Sequence, residues 1–104
     1  MEFDEKVYKA LRKVPRGKVT TYKELAKAIH SKAYRAVGGA MKRNPSAPEI
    51  PCHRVVRSDG SIGGFGGQTK GRKINEKIAL LRKEGVEVSQ GKIVDFEKRL
   101  YRWR

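Results

Sequence analysis

Cysteine occurs once in this chain of 104 residues, as Cys52, and histidine twice, as His30 and His53. A single cysteine excludes an internal disulfide and points to a reducing compartment. One Cys and two His without close ligand spacing make a poor zinc set, so no metal is expected. No apolar run approaches membrane-spanning length, and the N-terminal MEFDEKVYKA lacks a signal-peptide pattern. Internal repeats and low-complexity linkers are absent too. Acids are scarce: 11 Asp and Glu face 25 Lys and Arg, a formal charge of +14. The length fits one domain over residues 1–104, with a core large enough to need no staples.

That excess of positive charge favours a polyanionic partner, through attraction and counterion release. Two other readings stand beside nucleic acid: a solubilising surface rich in Lys, Arg and Glu, and an anionic membrane surface. No long amphipathic basic helix stands apart from the core to serve the membrane reading.

Hydrophobic spacing outlines the elements. Phe3, Val7, Leu11 and Val14 predict a helix over 3–14, ended by Pro15-Arg16-Gly17. Val19 and Thr20 form a short extended piece. Thr21-Tyr22-Lys23-Glu24 fits a capping box, opening a helix to about Ile29 with Leu25, Ala28 and Ile29 inward. Ser31 suits the cap of a helix over 32–43, whose inner stripe is Ala33, Ala36, Val37, Ala40 and Met41. Asn44-Pro45 stops it. Two short helices across a tight turn resemble a helix-turn-helix.

The outer face of the second helix carries Arg35, Gly38, Gly39 and Lys42. Glycine inside a helix costs about 1 kcal/mol relative to alanine. A compensating reason is close approach of another molecule to a flat surface. The flanking cations favour a DNA backbone; close packing against another protein segment is the alternative. After a Pro-rich loop over 46–51, Arg54–Arg57 reads as a strand and Ser58–Ser61 as a turn. The Gly-rich 62–67 lacks the strand-to-helix context of a phosphate loop. A helix is predicted over 71–84 with Ile74, Ile78 and Leu81 inward and Gly85 as its stop. A small hairpin follows over 86–94. The basic, aromatic tail DFEKRLYRWR either docks Phe96, Leu100 and Trp103 on the core or reaches for nucleic acid.

Cys52 lies in the stretch IPCHRV, with His53 and Arg54 beside it. A lone cysteine is commonly a small buried hydrophobe, yet basic neighbours promote the thiolate. Adjacent residues on a flat strand face opposite ways. His53 therefore assists Cys52 only if the chain turns there, which Pro51 favours, or through a bridging water. Glu84 is a second anomaly, an acid at the negative end of a helix dipole. A carboxylate that orients a histidine, which activates a thiol, is the general logic of an activated nucleophile.

Taken together, TTYKELA, RAVGGAM, NP, IPCHRVV and LLRKEG, in this order, strongly resemble the O6-alkylguanine-DNA alkyltransferases, the methylated-DNA–protein-cysteine methyltransferases. The resemblance runs from about Phe3 to Gly85. It implies a mainly α-helical domain of helix-turn-helix, winged-helix-like type with a small β wing, active as a monomer. It implies direct and irreversible transfer of the alkyl group from O6-alkylguanine, and from O4-alkylthymine, in double-stranded DNA. Cys52 would be the acceptor, His53 its base through a water, Glu84 the orienter and Asn44 the brace of the active-site turn. Arg35 would be the finger that replaces the flipped nucleotide. Tyr22 would crowd the target phosphate and line the pocket with Met41, Val55, Phe65 and Gly66. Gly38, Gly39 and Lys42 would lie along the minor groove. The protein itself accepts the alkyl group, so no cofactor is implied. The location implied is the cytoplasm and nucleoid of a prokaryote, or a eukaryotic nucleus.

Many members carry a further N-terminal domain, which the matched segment does not include. Alkyltransferase-like proteins, which bind the lesion and hand it to excision repair, are similar in size to this chain but replace the acceptor cysteine; here it is intact. Phe65 stands where many members have Tyr.

Overall fold

The computed structural model describes residues 2–65 and 68–103. The fold is mainly α-helical, of helix-turn-helix type, with two small sheets. Helix α1 (Glu2–Leu11) opens with Glu2, Asp4 and Glu5 and closes with Lys9, in keeping with the helix dipole. It stops short of the predicted Val14. The residue before a proline is pushed out of the α region, and Lys13 and Val14 bond instead to carbonyls three residues back. Val14 is nonetheless fully buried.

Strand β1 (Thr20–Thr21) runs directly into α2 (Tyr22–Ala28), and Thr21 Oγ1 caps the amide of Glu24 at 3.0 Å. Glu24 does not close the capping box; it turns to Arg102, 3.7 Å away. Helix α3 (Tyr34–Lys42) begins later than predicted, because the Ser31 hydroxyl accepts from the Ala33 amide before the helix starts. Ala33 is thus the exposed N-cap and not a core residue. Tyr8 Oη donates to Ala40 O at 2.8 Å, tying α1 to α3. Arg43 grips Asp4 in a two-pronged pair, both bonds at 2.8 Å.

A 3-10 turn (Cys52–Arg54) precedes strand β2 (Val55–Val56). The predicted strand is shorter because Arg54 belongs to that turn. Strand β2 pairs in parallel with β1, Thr20 opposite Val55 and Thr21 opposite Val56. Adjacent strand residues face opposite ways. Val55 therefore enters one core, with Val7, Leu11, Leu25 and Val37, while Val56 enters a second, with Val19, Ile62, Leu81 and Val86. Helix α4 (Arg72–Lys83) ends in a Schellman motif: Gly85 N donates to Arg82 O and Val86 N to Leu81 O, with Gly85 at φ 85°.

The predicted hairpin is β3 (Val88–Ser89) against antiparallel β4 (Lys92–Ile93). The tail docks. After α5 (Phe96–Arg99), Leu100 bridges Val19 in parallel and Trp103 Nε1 donates to Ala10 O at 3.1 Å. Phe96 packs on the second core. No helix of the described residues is long and apolar enough to cross a membrane.

Two glycines give opposite expectations. A Cβ on either Gly38 or Gly85 meets nothing within 4 Å, but Gly85 has a positive φ and Gly38 is helical. Gly85→Ala is expected to lose about 1–2 kcal/mol, the cost of a left-handed alanine. Gly38→Ala is expected to gain about 0.5–1 kcal/mol. Urea unfolding with unchanged m-values checks both signs.

Candidate active site

The thiol sits where a loop becomes a turn. Asn44, just past α3, clamps that loop from both sides: its Nδ2 donates to Ile50 O at 2.7 Å and its Oδ1 accepts from Ser46 N at 2.9 Å. Cys52 N in turn donates to Ile50 O at 2.8 Å. The 3-10 geometry of Cys52–Arg54 is what keeps Cys52 and His53 from pointing to opposite faces of a strand. Cys52 is buried, 8% exposed, and closes the lower edge of the first core.

Behind it, His53 is 1% exposed. Its Nε2 lies 3.0 Å from Glu84 Oε2. An ionised carboxylate only accepts, so Nε2 carries the hydrogen and Nδ1 keeps its lone pair. Nδ1 is buried and has no hydrogen-bond partner among the described residues. Burial lowers the His53 pKa from its ordinary value and the hydrogen bond to Glu84 only partly restores it. The ring is therefore neutral at pH 7, with its basic nitrogen free to take a proton.

Glu84 is held by two partners. Burial pushes its carboxyl up, but hydrogen bonds from Arg54 and His53 more than reverse this and keep it ionised. Arg54 forks onto it, Nε to Oε1 at 2.9 Å and Nη2 to Oε2 at 2.6 Å, and also donates from Nη1 to Val14 O at 2.8 Å. An acid at the C-cap of α4 opposes the helix dipole, and the guanidinium answers that penalty.

The basic residues next to Cys52 in sequence do not act on it as expected. Arg54 is committed to Glu84. Burial pushes the Cys52 thiol up, and the groups that pull it back are the Asn44 side chain and the Lys77 ammonium. The resting side chain is a thiol, which gives the neutral His53 a proton to remove.

A cavity of about 200 Å³ opens onto the sulfur. Tyr22 from α2, Gly38, Met41 and Lys42 from α3, and Gly64 and Phe65 from the loop after β2 surround it. Gln68 and Thr69 close the rim, which sequence reasoning did not anticipate. Burial and the nearby Cys52 raise the Tyr22 hydroxyl above its ordinary pKa, so it is a neutral donor. A larger depression beside Asp4, Tyr8, Arg43 and Ile50 is not lined by Cys52, His53 or Glu84.

The other expected site residues divide. Arg35 is exposed in the first turn of α3, outside the cavity. The glycine pair splits: Gly38 faces open space, whereas a Cβ on Gly39 would meet Arg43 Nη1 at 3.0 Å. Val55 turns into the first core and does not line the cavity. Gly66 lies outside the described residues. Arg54, expected to act on Cys52, serves Glu84 instead, and Lys77 is a residue that sequence reasoning missed. For Lys77 a signal existed, a lysine at the phase of Ile74, Ile78 and Leu81 on the inner face of α4. No group of three or more His, Cys, Asp or Glu that could hold a metal ion occurs among the described residues.

A profile of the family described as "6-O-methylguanine DNA methyltransferase, DNA binding domain" matches residues 2–86. The chain belongs to this family. It is 52% identical over 86 residues to the methylated-DNA–protein-cysteine methyltransferase of Thermococcus kodakarensis, a match that covers 82% of the chain and 45% of that protein. In three dimensions this methyltransferase-family domain matches Mycobacterium tuberculosis OGT in complex with DNA, at 42% identity and TM-score 0.73, over 81% of the chain and 50% of the other. It also matches S. pombe Atl1 in complex with damaged DNA containing O6-carboxymethylguanine. That match has 32% identity and TM-score 0.83, over 97% of the chain and 95% of Atl1. The chain spans about half the length, or less, of the curated methyltransferases it matches.

The charge network makes one direct prediction. Glu84 favours the imidazolium of His53, so Glu84→Gln lowers the His53 pKa further below its ordinary value. NMR titration of the His53 ring in both proteins measures it; an equal or higher value in the variant contradicts the arrangement.

Proposed function

We propose that this domain repairs DNA by accepting the alkyl group of O6-alkylguanine on Cys52, once per molecule. One observation carries the reading: a buried thiol at the end of a cavity, backed by a neutral histidine whose free nitrogen is matched by a carboxylate on the other. Lesion chemistry demands such a cavity, since the O6 substituent is reached only after the base leaves the stack, at a cost of a few kcal/mol. Arg35, exposed at the start of α3, is suited to fill the gap in the duplex. Lys42 at the cavity rim, with Lys23, Arg57 and Ser58 across Tyr22, is suited to the phosphates. Contacts of these kinds offset the flipping cost.

The reaction balances without a cofactor. His53 Nδ1 takes the thiol proton, through a bridging water. The sulfur attacks the alkyl carbon in line, the S–C bond forms and the C–O6 bond breaks. The electron pair leaves with guanine, which takes up a proton to become the normal base. Cys52 keeps the alkyl group as a thioether. Glu84 and Asn44 act as positioning residues for His53 and the turn. We place this activity in one domain acting as a monomer wherever the cell keeps its DNA, cytoplasm or nucleus.

A second reading is lesion binding without transfer, with excision-repair proteins as partners. It is favoured by the Atl1 match, which extends over almost the whole of both chains. The intact Cys52 favours transfer. Incubation with O6-methylguanine duplex, followed by peptide mass spectrometry, decides between them. Transfer adds one methyl to the Cys52 peptide, while binding without modification supports the second reading. Cys52→Ser is expected to abolish transfer and keep lesion affinity, because a hydroxyl is far harder to ionise at nearly the same size.

Arg35 makes a separate prediction. A simple phosphate contact would aid all DNA binding and add about one to the salt slope. A residue that stabilises the flipped state acts only on the duplex. Arg35→Ala is therefore expected to slow single-turnover transfer from duplex O6-methylguanine sharply and to leave reaction with free O6-benzylguanine nearly unchanged. An equal fall in both rates would assign Arg35 to the pocket or the fold.

A further inference from the structure

Trp103 is the only tryptophan of the chain, and the proposed transfer makes no use of it. It lies in the tail, beyond the 2–86 span that matches the family profile. The Atl1 match covers 97% of the chain and so takes in most of the segment past residue 86. That tail is pinned at successive points. Tyr101 N donates to Val19 O at 2.7 Å, Thr20 Oγ1 donates to Tyr101 O at 3.0 Å, and Trp103 Nε1 donates to Ala10 O at 3.1 Å. The rings of Tyr101 and Trp103 meet in a T, centroids 5.1 Å apart.

Docked in this way, Trp103 forms one wall of a groove of about 290 Å³ against α1 and the end of α2. Ala10, Ala28 and Ile29 supply the apolar floor. Lys6, Lys9 and Lys13 stand along one rim and His30 on the other side, all four exposed. Among the described residues none of these lysines forms an ion pair. The groove shares no lining residue with the cavity at Cys52.

An apolar floor under a row of cations calls for a ligand that is apolar below and anionic along one edge. The small side chains of Ala10 and Ala28 let such a ligand approach closely between Trp103 and Ile29. Lys6, Lys9 and Lys13 follow the spacing i, i+3 and i+7, each about one helical turn from the last. Acids at the same spacing on a second helix lie opposite all three, while its apolar stripe turns down onto the floor and Trp103. Duplex DNA presents phosphates but no apolar edge to fill that floor. A second copy of this chain, itself at +14, is repelled. We propose that the groove between α1, the end of α2 and the tail docks an acidic amphipathic helix of a partner protein. This surface goes beyond the transfer reading and has the same geometry whether or not Cys52 accepts an alkyl group.

The sole tryptophan supplies the readout. A synthetic helix free of tryptophan, with Glu at i, i+3 and i+7 and Leu on the adjoining stripe, is titrated into the intact protein while Trp103 emission is followed. A saturable shift is expected. Replacing the three Glu of the peptide by Gln is expected to weaken binding about tenfold, because the rim then meets no charge. The double variant Lys9→Glu, Lys13→Glu is expected to weaken it at least as far, since like charges then face each other. Both lysines are exposed, and circular dichroism checks that the variant folds. Prior binding of O6-methylguanine duplex is expected to leave the response in place.

The absence of any saturable response from the Glu peptide overturns the proposal, and this arm needs no variant. Equal binding of the Glu and Gln peptides overturns it, since the lysine rim would then read no charge. A tighter response to a thymidine oligonucleotide assigns the groove to stacking of single-stranded nucleic acid on Trp103 and overturns the peptide reading. Displacement of the peptide by the lesion duplex makes the groove part of the DNA surface and overturns it as well.

Discussion

The parallel pairing of Thr20–Thr21 with Val55–Val56 fixes the two halves of the site against each other. Each strand contributes two residues, and a sheet so small has no stability of its own. It persists because Val55 and Val56 enter different cores, and because the tail covers the remaining side of Val19: its amide donates to Arg99 O and its carbonyl accepts from Tyr101 N. Tyr22 follows β1 without a linker, and Cys52 precedes β2 by one short turn. Disturbing the ladder would move the tyrosine wall relative to the sulfur.

Charge inside the domain is handled by division of labour. Glu84 is ionised because Arg54 forks onto it; His53 is neutral because it is buried; Lys77 is held by carbonyls. Of these groups Lys77 draws the Cys52 thiol down, and burial outweighs it. The site stores no standing thiolate. It keeps an unreactive thiol beside a base, the state that the proposed single transfer calls for.

Much of this was legible in the residue pattern, for identifiable reasons. Helices α1 to α4 follow apolar spacing, and Thr21 and Gly85 act as the cap and stop that their chemistry predicts. The turn at Cys52 was anticipated from Pro51, and Glu84 from its conflict with the helix dipole. What escaped depends on contacts remote in sequence. The β1–β2 pairing joins segments whose two-residue strands have no periodicity to read. Arg54 stands beside Cys52 in sequence yet serves Glu84, 30 residues away. Gly39 belongs to Arg43, which Asp4 pulls across the helix, so the smooth outer face narrows to Gly38. Lys77 at a core phase of α4 was visible, but an apolar stripe invites the eye to skip it.

Thr21 is at once the last residue of β1 and the N-cap of α2. There is no hinge between sheet and helix. The Tyr22 backbone can shift only if the whole helix tilts or the ladder breaks, so one jaw of the cavity has an anvil for its base. The opposing jaw is suspended: Phe65 hangs between the Lys77 bond to Gly64 and a backbone bridge to Gln68. Any widening of the cavity falls to the Phe65 side, and the span of that suspension sets its gauge.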